Sequence, residues 1–149
     1  MYESGFHPGL HYCDPRAALD WLQRAFGFEI QMVVTMPDGS LGHCEMRFGE
    51  GVVHIGREWI DWAQAPSSLA GRTTCTISAN VPDVDALFAR AVEAGARVLA
   101  APETKFYGDR SCLLADPEGH VWSFAQNMKK MSHEEMEAAA RGAKVRATL

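Results

Sequence analysis

Histidines and one glutamate recur at alternate positions in short apolar segments of the first third of the chain. These residues are His7, His11, His43, Glu45, Arg47 and His54. If the segments are β-strands, alternate residues project from the same face of a sheet. Imidazole and carboxylate groups gathered there suit a divalent metal such as Zn, Ni, Mn or Fe, acid–base catalysis, or ligand recognition. Any single one of these histidines is better explained as a solvated or hydrogen-bonded strand residue.

The second half of the chain presents hydroxyl groups where the first half presents histidines. In the predicted strands at residues 73–79 and 121–127, one face carries short polar and β-branched side chains. This face collects Thr74, Thr76, Ser78, Val121 and Ser123. A wall of titratable groups and a wall of hydroxyls are therefore predicted.

The elements that position these residues read as one unit that occurs twice. A strand at 6–12 precedes a helix with Asp14 as N-cap, Pro15 at its first position and Gly27 at its end. A strand at 28–36 and a hairpin at 41–56 follow. The second unit repeats this order with a strand at 73–79, a helix at 82–94, a strand at 98–101 and a hairpin at 107–127. The turn of that last hairpin is Asp116-Pro117-Glu118-Gly119.

This order predicts an α+β fold of two tandem βαβββ modules that form a half-barrel sheet around a cavity, plus a C-terminal helix. The first module is predicted at 5–56 and the second at 72–127. Residues 57–71 form a linker or lid, in which Trp59, Ile60 and Trp62 either cover a cleft or pack on the core. Residues 128–149 form a helical tail, since Ser132 and Glu135 fit a capping box.

The composition limits the classes of function. The chain has 149 residues, 47% of them apolar, with a formal charge of −5. That charge argues against a general nucleic-acid surface, and no apolar run reaches the length of a membrane span. Four dispersed cysteines (Cys13, Cys44, Cys75 and Cys112) favour reduced thiols in a cytoplasmic protein over a zinc site. No signal peptide is visible in the first residues.

Several motifs in this order resemble the vicinal oxygen chelate superfamily of glyoxalases, bleomycin-resistance proteins and extradiol dioxygenases. They are the stretch from Asp14 to Gly27, PDGxxGH at 37–43, FYGDR at 106–110 and DPEGHVW at 116–122. The resemblance covers residues 5–127 and is nearest to the PhnB-like or glyoxalase-like branch. It implies that any metal ligands come from the first and last strands of each half.

Those positions hold His7, His54, Thr76 and Ser123 in this sequence. His7 is a usual ligand type and His54 an acceptable one, whereas Thr76 and Ser123 offer only weak neutral hydroxyls. A site with two histidines binds metal poorly unless His11, His43 or Glu45 contributes. The resemblance therefore predicts an incomplete metal site.

Two functions from different classes follow from the resemblance. The first is a small-molecule-binding protein in which Trp59, Trp62, Phe106 and Tyr107 stack on the ligand and Glu45 meets a cationic group. His11, Arg47, Thr76 and Ser123 would complete the ligand contacts. The second is a metal-dependent lyase or isomerase acting on vicinal oxygens, with Glu45 or His43 as the base.

Dioxygenase chemistry is less favoured, because an Fe(II) oxygenase requires two histidines and one carboxylate on the ion. The carboxylate is missing at the matched positions. A pure interaction module is a third possibility with no direct support in the sequence. The resemblance also implies a homodimer.

Overall fold

A computed structural model describes residues 5–148 of the chain. The first module consists of β1 (Gly9–Tyr12), α1 (Pro15–Phe26), β2 (Glu29–Thr35), β3 (Leu41–Phe48) and β4 (Gly51–Arg57). The second consists of β5 (Thr76–Asn80), α2 (Val84–Glu93), β6 (Arg97–Thr104), β7 (Asp109–Ala115) and β8 (Val121–Asn127). The sheets have the strand orders β1-β4-β3-β2 and β5-β8-β7-β6, so both halves share one topology. The predicted α+β fold with two βαβββ modules is confirmed.

The two helices begin and end with side-chain and backbone caps that the sequence predicts. Asp14 accepts a hydrogen bond from the backbone N–H of Ala17, and Asp83 accepts one from Ala86 in the second module. Gly27 ends α1 in the left-handed region at φ +81°, where glycine has no steric penalty. The caps fix where each helix enters and leaves its sheet.

Three strand boundaries, the starts of β1 and β5 and the end of β6, differ from the predicted ones by three residues. β1 starts at Gly9 rather than residue 6, immediately after Pro8, whose carbonyl accepts the N–H of His54. β5 starts at Thr76, because Thr73 bonds locally to Cys75 and forms a turn before the strand. β6 runs on through Pro102 as an edge strand, a position where the missing proline N–H costs no ladder bond.

The apolar faces of the two sheets pack into one shared core. Phe26 of α1 lies 5.5 Å from Trp122 and 4.7 Å from Phe124 between ring centroids, and both partners are on β8. The two helices also exchange hydrogen bonds. Trp21 Nε1 donates to the Ala94 carbonyl at 2.8 Å, and the Arg90 guanidinium donates to carbonyls in the last turn of α1. The polar face of each sheet therefore points away from this core.

A buried carboxylate connects the two modules. Asp116 accepts hydrogen bonds from the Tyr12 hydroxyl at 2.7 Å and from Trp122 Nε1 at 3.1 Å. Its other oxygen accepts the backbone N–H groups of Glu118 and His120. Burial, and then the charge of Asp116, raises the pKa of Tyr12 well above its usual range. The hydroxyl therefore stays a donor to Asp116 throughout the physiological pH range.

The segment between the modules is anchored at several points rather than passive. A short 3-10 helix, Pro66–Leu69, lies within it. Glu58 accepts the backbone N–H of Ala65, and the thiol of Cys13 lies within hydrogen-bond distance of the hydroxyls of Ser67 and Ser68. Glu118 of the second module accepts a hydrogen bond from the Ser67 hydroxyl and from the N–H groups of Cys13 and Asp14. The β7–β8 turn is thereby attached to the start of α1.

After the second module, α3 spans His133–Ala139 and carries the predicted capping box between Ser132 and Glu135. None of the helices within residues 5–148 has the length and apolar character needed to cross a membrane.

All four cysteines are free thiols, and burial raises the pKa of Cys44 and of Cys112.

Candidate functional site

Three predicted site residues meet on the polar face of the first sheet. Glu45 on β3 lies directly opposite His54 on β4 in the antiparallel ladder, and His43 precedes Glu45 by two residues on the same face. His43 Nε2 lies 3.1 Å from Glu45 Oε1, and His54 Nε2 lies 3.8 Å from the same oxygen. We call His43, Glu45 and His54 the His–Glu cluster.

His7 joins the edge of this cluster. Its ring stacks on that of His54 with centroids 5.5 Å apart and the planes nearly parallel. His43 meets the same ring edge to face at 4.9 Å. The two histidines that the resemblance assigns to a metal, His7 and His54, therefore lie on one side of their sheet.

The environment of the cluster keeps its carboxylate partly shielded from water. The Glu45 side chain is 16% exposed, whereas His43 and His54 are 40% and 38% exposed. Burial, and then the neighbouring His43, lowers the pKa of His54, although Glu45 acts in the opposite direction. His54 is therefore held toward its neutral form, in which a ring nitrogen has a free lone pair.

The remaining first-module candidates lie on the same face but have other partners. Arg47 pairs with Glu29 of β2, so it does not neutralise Glu45. His11 stands opposite Gly56 in the β1–β4 ladder, and its Nδ1 lies 3.2 Å from the Arg57 carbonyl. His11 thus belongs to a separate part of the surface.

The two linker tryptophans line different cavities. Trp59 borders one of about 380 Å³ together with Val34, Met36, His43 and Arg57. Trp62 borders a second of about 220 Å³ with His11 and His120. Both indoles are largely exposed, at 62% and 73%, and their rings meet edge to face.

The second-module candidates lie on the other sheet. Thr76 pairs with Val121, and Ser123 pairs with Ser78 across β5 and β8, so all four project from the predicted polar face. Phe106 and Tyr107 contact each other in the β6–β7 connection. This face offers hydroxyls and no imidazole or carboxylate at the two positions matched to metal ligands. Residues at the family positions therefore do not fit a complete metal site.

The cavity beside Trp59 includes residues that the sequence analysis did not single out. Val34 and Met32 of β2 stand opposite His43 and Glu45, which puts them on the polar face. The strand predicted at 28–36 carries apolar residues on both of its faces. The sequence pattern therefore does not indicate which of these residues border the His–Glu cluster. The register between β2 and β3, which contains a shift between Ile30 and Met32, decides it.

Comparison with known proteins agrees with the topology. The family model described as the Glyoxalase/Bleomycin resistance protein/Dioxygenase superfamily matches residues 6–124. The chain is 36% identical over 141 residues to the uncharacterized protein Rv0887c of Mycobacterium tuberculosis, covering 92% of this chain and 82% of that protein.

Two solved structures show the same fold. TioX from Micromonospora sp. ML1 is 34% identical, with a TM-score of 0.66 over 83% of this chain and 99% of TioX. The fosfomycin resistance protein FosX from Listeria monocytogenes is 19% identical, with a TM-score of 0.62 over 91% of this chain and 99% of FosX. By the family match over residues 6–124, this chain belongs to the glyoxalase/bleomycin resistance protein/dioxygenase superfamily.

Proposed function

We propose that the protein binds a small, partly aromatic molecule against the polar face of its first sheet, in the manner of the bleomycin-resistance members of its superfamily. The observation that carries this proposal is the cavity of about 380 Å³ in which Trp59, Val34 and Met36 surround His43. A concave apolar wall with a few polar groups at its edge is the usual form of a small-molecule site.

The Glu45 carboxylate beside this cavity offers a partner for a cationic group of the ligand, whereas Arg57, which lines the cavity, offers one for an anionic or hydrogen-bond-accepting group. Glu45 follows His43 by two residues on the same face, and Arg47 is engaged with Glu29. A ring stacked on Trp59 would place a basic substituent toward the Glu45 carboxylate. The formal charge of −5 also favours the approach of a cation. In this proposal His11 and Trp62 are secondary contacts, and Phe106, Tyr107, Thr76 and Ser123 of a second copy of the chain supply the remaining ones, since their own sheet faces away from this cavity.

Similarity to named resistance proteins supports a ligand-binding role without defining the ligand. The family description includes bleomycin resistance proteins, and FosX is a fosfomycin resistance protein. Bleomycin is therefore the first probe to use. Because the residues at the family metal positions do not form a complete set, ligand binding in this proposal needs no metal.

Tryptophan fluorescence tests the proposal directly. Trp21 and Trp122 are buried in the core, so quenching by an added ligand reports on Trp59 and Trp62. Saturable quenching by bleomycin or by benzyltrimethylammonium, a simple aromatic cation, is expected. Trp59→Ala should weaken binding about tenfold, since stacking and cation–π contacts contribute about 0.5–2 kcal/mol.

Trp62→Ala is the comparison variant, because this indole is also largely exposed and packs edge to face on Trp59 but borders the other cavity. It should change the affinity much less than Trp59→Ala does. Absence of saturable quenching with either probe at millimolar concentration would contradict the proposal. Equal effects of the two substitutions on affinity would indicate that the ligand binds beside Trp62 rather than in the cavity beside Trp59.

We also propose that the protein works as a homodimer in the reducing cytoplasm. The two sheets of one chain pack on each other through their apolar faces, so their polar faces do not enclose a common cavity. A cavity with a sheet on each side therefore requires a second copy of the chain. Exposed apolar residues along β2, among them Ile30, Val33 and Val34, provide surface for that contact. Light scattering should give twice the chain mass of 16.4 kDa, and a monomer mass at micromolar concentration would contradict the dimer.

A second candidate function is a divalent-metal-dependent lyase or isomerase. The proximity of two imidazoles and one carboxylate on an open face favours it, since such a face can hold a metal and move a proton. Full ligand quenching after dialysis against EDTA would support the binding protein. Metal-dependent proton exchange on a bound hydroxycarbonyl compound would support the enzyme.

A further inference from the structure

We propose that His43, Glu45 and His54 form a binding site for a divalent transition metal contained entirely within the first module. Two of these three ligands lie on β3, away from the first and last strands that the resemblance designates. The site therefore does not depend on Thr76, Ser123 or a second copy of the chain. It shares His43 and Glu45 with the proposed ligand site, so the inference rests on the second candidate function, and a metal held there would exclude a cationic group from Glu45.

The separations of the donor atoms carry this inference. One ligand atom from each of the three residues lies within 4.8 Å of the others. Two of these separations are the 3.1 Å and 3.8 Å contacts of Glu45 Oε1 with the two Nε2 atoms. Ligands about 2.1 Å from a shared tetrahedral or octahedral metal are themselves roughly 3.0–3.4 Å apart. Small side-chain rotations bring all three within coordination distance of one ion.

The backbone holds these side chains on rigid elements. Glu45 and His54 are direct neighbours in the β3–β4 ladder, and His43 lies on the same strand as Glu45. The pairing of Arg47 with Glu29 leaves the Glu45 carboxylate to the imidazoles.

The donor set indicates the class of metal. Two neutral imidazoles and one carboxylate suit Zn, Ni, Co, Mn or Fe(II), whereas Ca and Mg prefer all-oxygen sites. His43 and His54 are each more than a third exposed. The cluster is therefore open toward solvent and toward the cavity beside Trp59, so a molecule in that cavity would have access to a metal held there.

Cobalt titration of EDTA-treated protein tests the site without any assay of activity. We expect one Co²⁺ per chain, with visible ligand-field bands that Zn²⁺ abolishes by competition. Glu45→Gln and His43→Gln should each weaken binding at least about 100-fold, because even outer-shell losses at metal sites cost about 10- to 100-fold. Circular dichroism should show these variants folded, since the substitutions are isosteric or half-exposed.

The controls separate this site from the one that the resemblance implies. The double variant Thr76→Ala, Ser123→Ala should bind Co²⁺ as the parent does, and so should His11→Gln. Loss of binding in that double variant, retention of binding in Glu45→Gln, or absence of Co²⁺ binding by the parent protein would each overturn the inference. Quenching by bleomycin, measured on the same metal-free protein, reports on the proposed function independently.

Discussion

Replacing Asp116 by alanine is expected to lower the free energy of unfolding by about 4 kcal/mol. The substitution leaves the Tyr12 hydroxyl and the Trp122 indole N–H without their acceptor in a region where Asp116 itself is 3% exposed. A hydrogen bond to a charged group contributes about 1.5–3 kcal/mol, and a buried donor left unpaired costs about 1–3 kcal/mol. The loss is measured by urea unfolding, provided that the slope with denaturant is unchanged.

Asp20→Ala is the matched control for this measurement. Asp20 lies on the exposed face of α1, and among residues 5–148 its ion pair is with Arg24 one turn further on, so its removal should cost no more than about 0.5 kcal/mol. Asp116→Asn should have an intermediate effect on stability. Its amide retains one acceptor oxygen, but its NH2 group is a donor placed against the groups that donate to Asp116. A loss below about 1 kcal/mol in Asp116→Ala would show that water or a rearranged turn replaces the carboxylate.

Phe26→Ala is expected to destabilise the protein by about 4 kcal/mol. The ring is buried at the junction of both modules and packs against Trp21, Trp122 and Phe124. Removing a buried aromatic ring costs about 3–5 kcal/mol, and part of that cost is the cavity left behind. Thermal and urea unfolding of the variant should both show the loss.

Phe6→Ala serves as the control because the Phe6 side chain is fully exposed. It should leave stability within about 0.5 kcal/mol of the parent. Probes in the two modules should report one coincident transition in Phe26→Ala as in the parent. If the first module unfolded at a lower denaturant concentration than the second, the shared core would not couple them as described.

Much of the fold follows from local patterns in the sequence. The repeated order of elements, the caps at Asp14 and Gly27 and the turn at 116–119 are short-range features that a single sequence displays. Strand periodicity also placed His43, Glu45 and His54 on one face, because side chains alternate with a period of two. That pattern does not show which histidines contact one another.

The rest depends on pairing between distant segments. Glu45 contacts His54 because the β3–β4 register pairs them. The β1–β4 register instead places His11 opposite Gly56, outside the His–Glu cluster. The predicted end of β6 at residue 101 is wrong, because Pro102 is tolerated on an edge strand, next to a register shift between Ala100 and Glu103. Edge position is a property of the whole sheet, and no local signal reports it. The roles assigned to the site residues remain predictions that the experiments above address.

The attachment of the β7–β8 turn to the start of α1 has a consequence for how the chain behaves as a duplicated sequence. Glu118 holds the amides of Cys13 and Asp14 across more than a hundred residues. In tandem arrays each copy interacts only with its neighbours, and terminal copies can fray or be deleted independently. Here the two halves share one aromatic core, and the second half supplies the carboxylates that anchor the first, so neither copy is a self-sufficient folding unit. Truncation to either half would yield a fragment with an exposed hydrophobic surface rather than a smaller working protein.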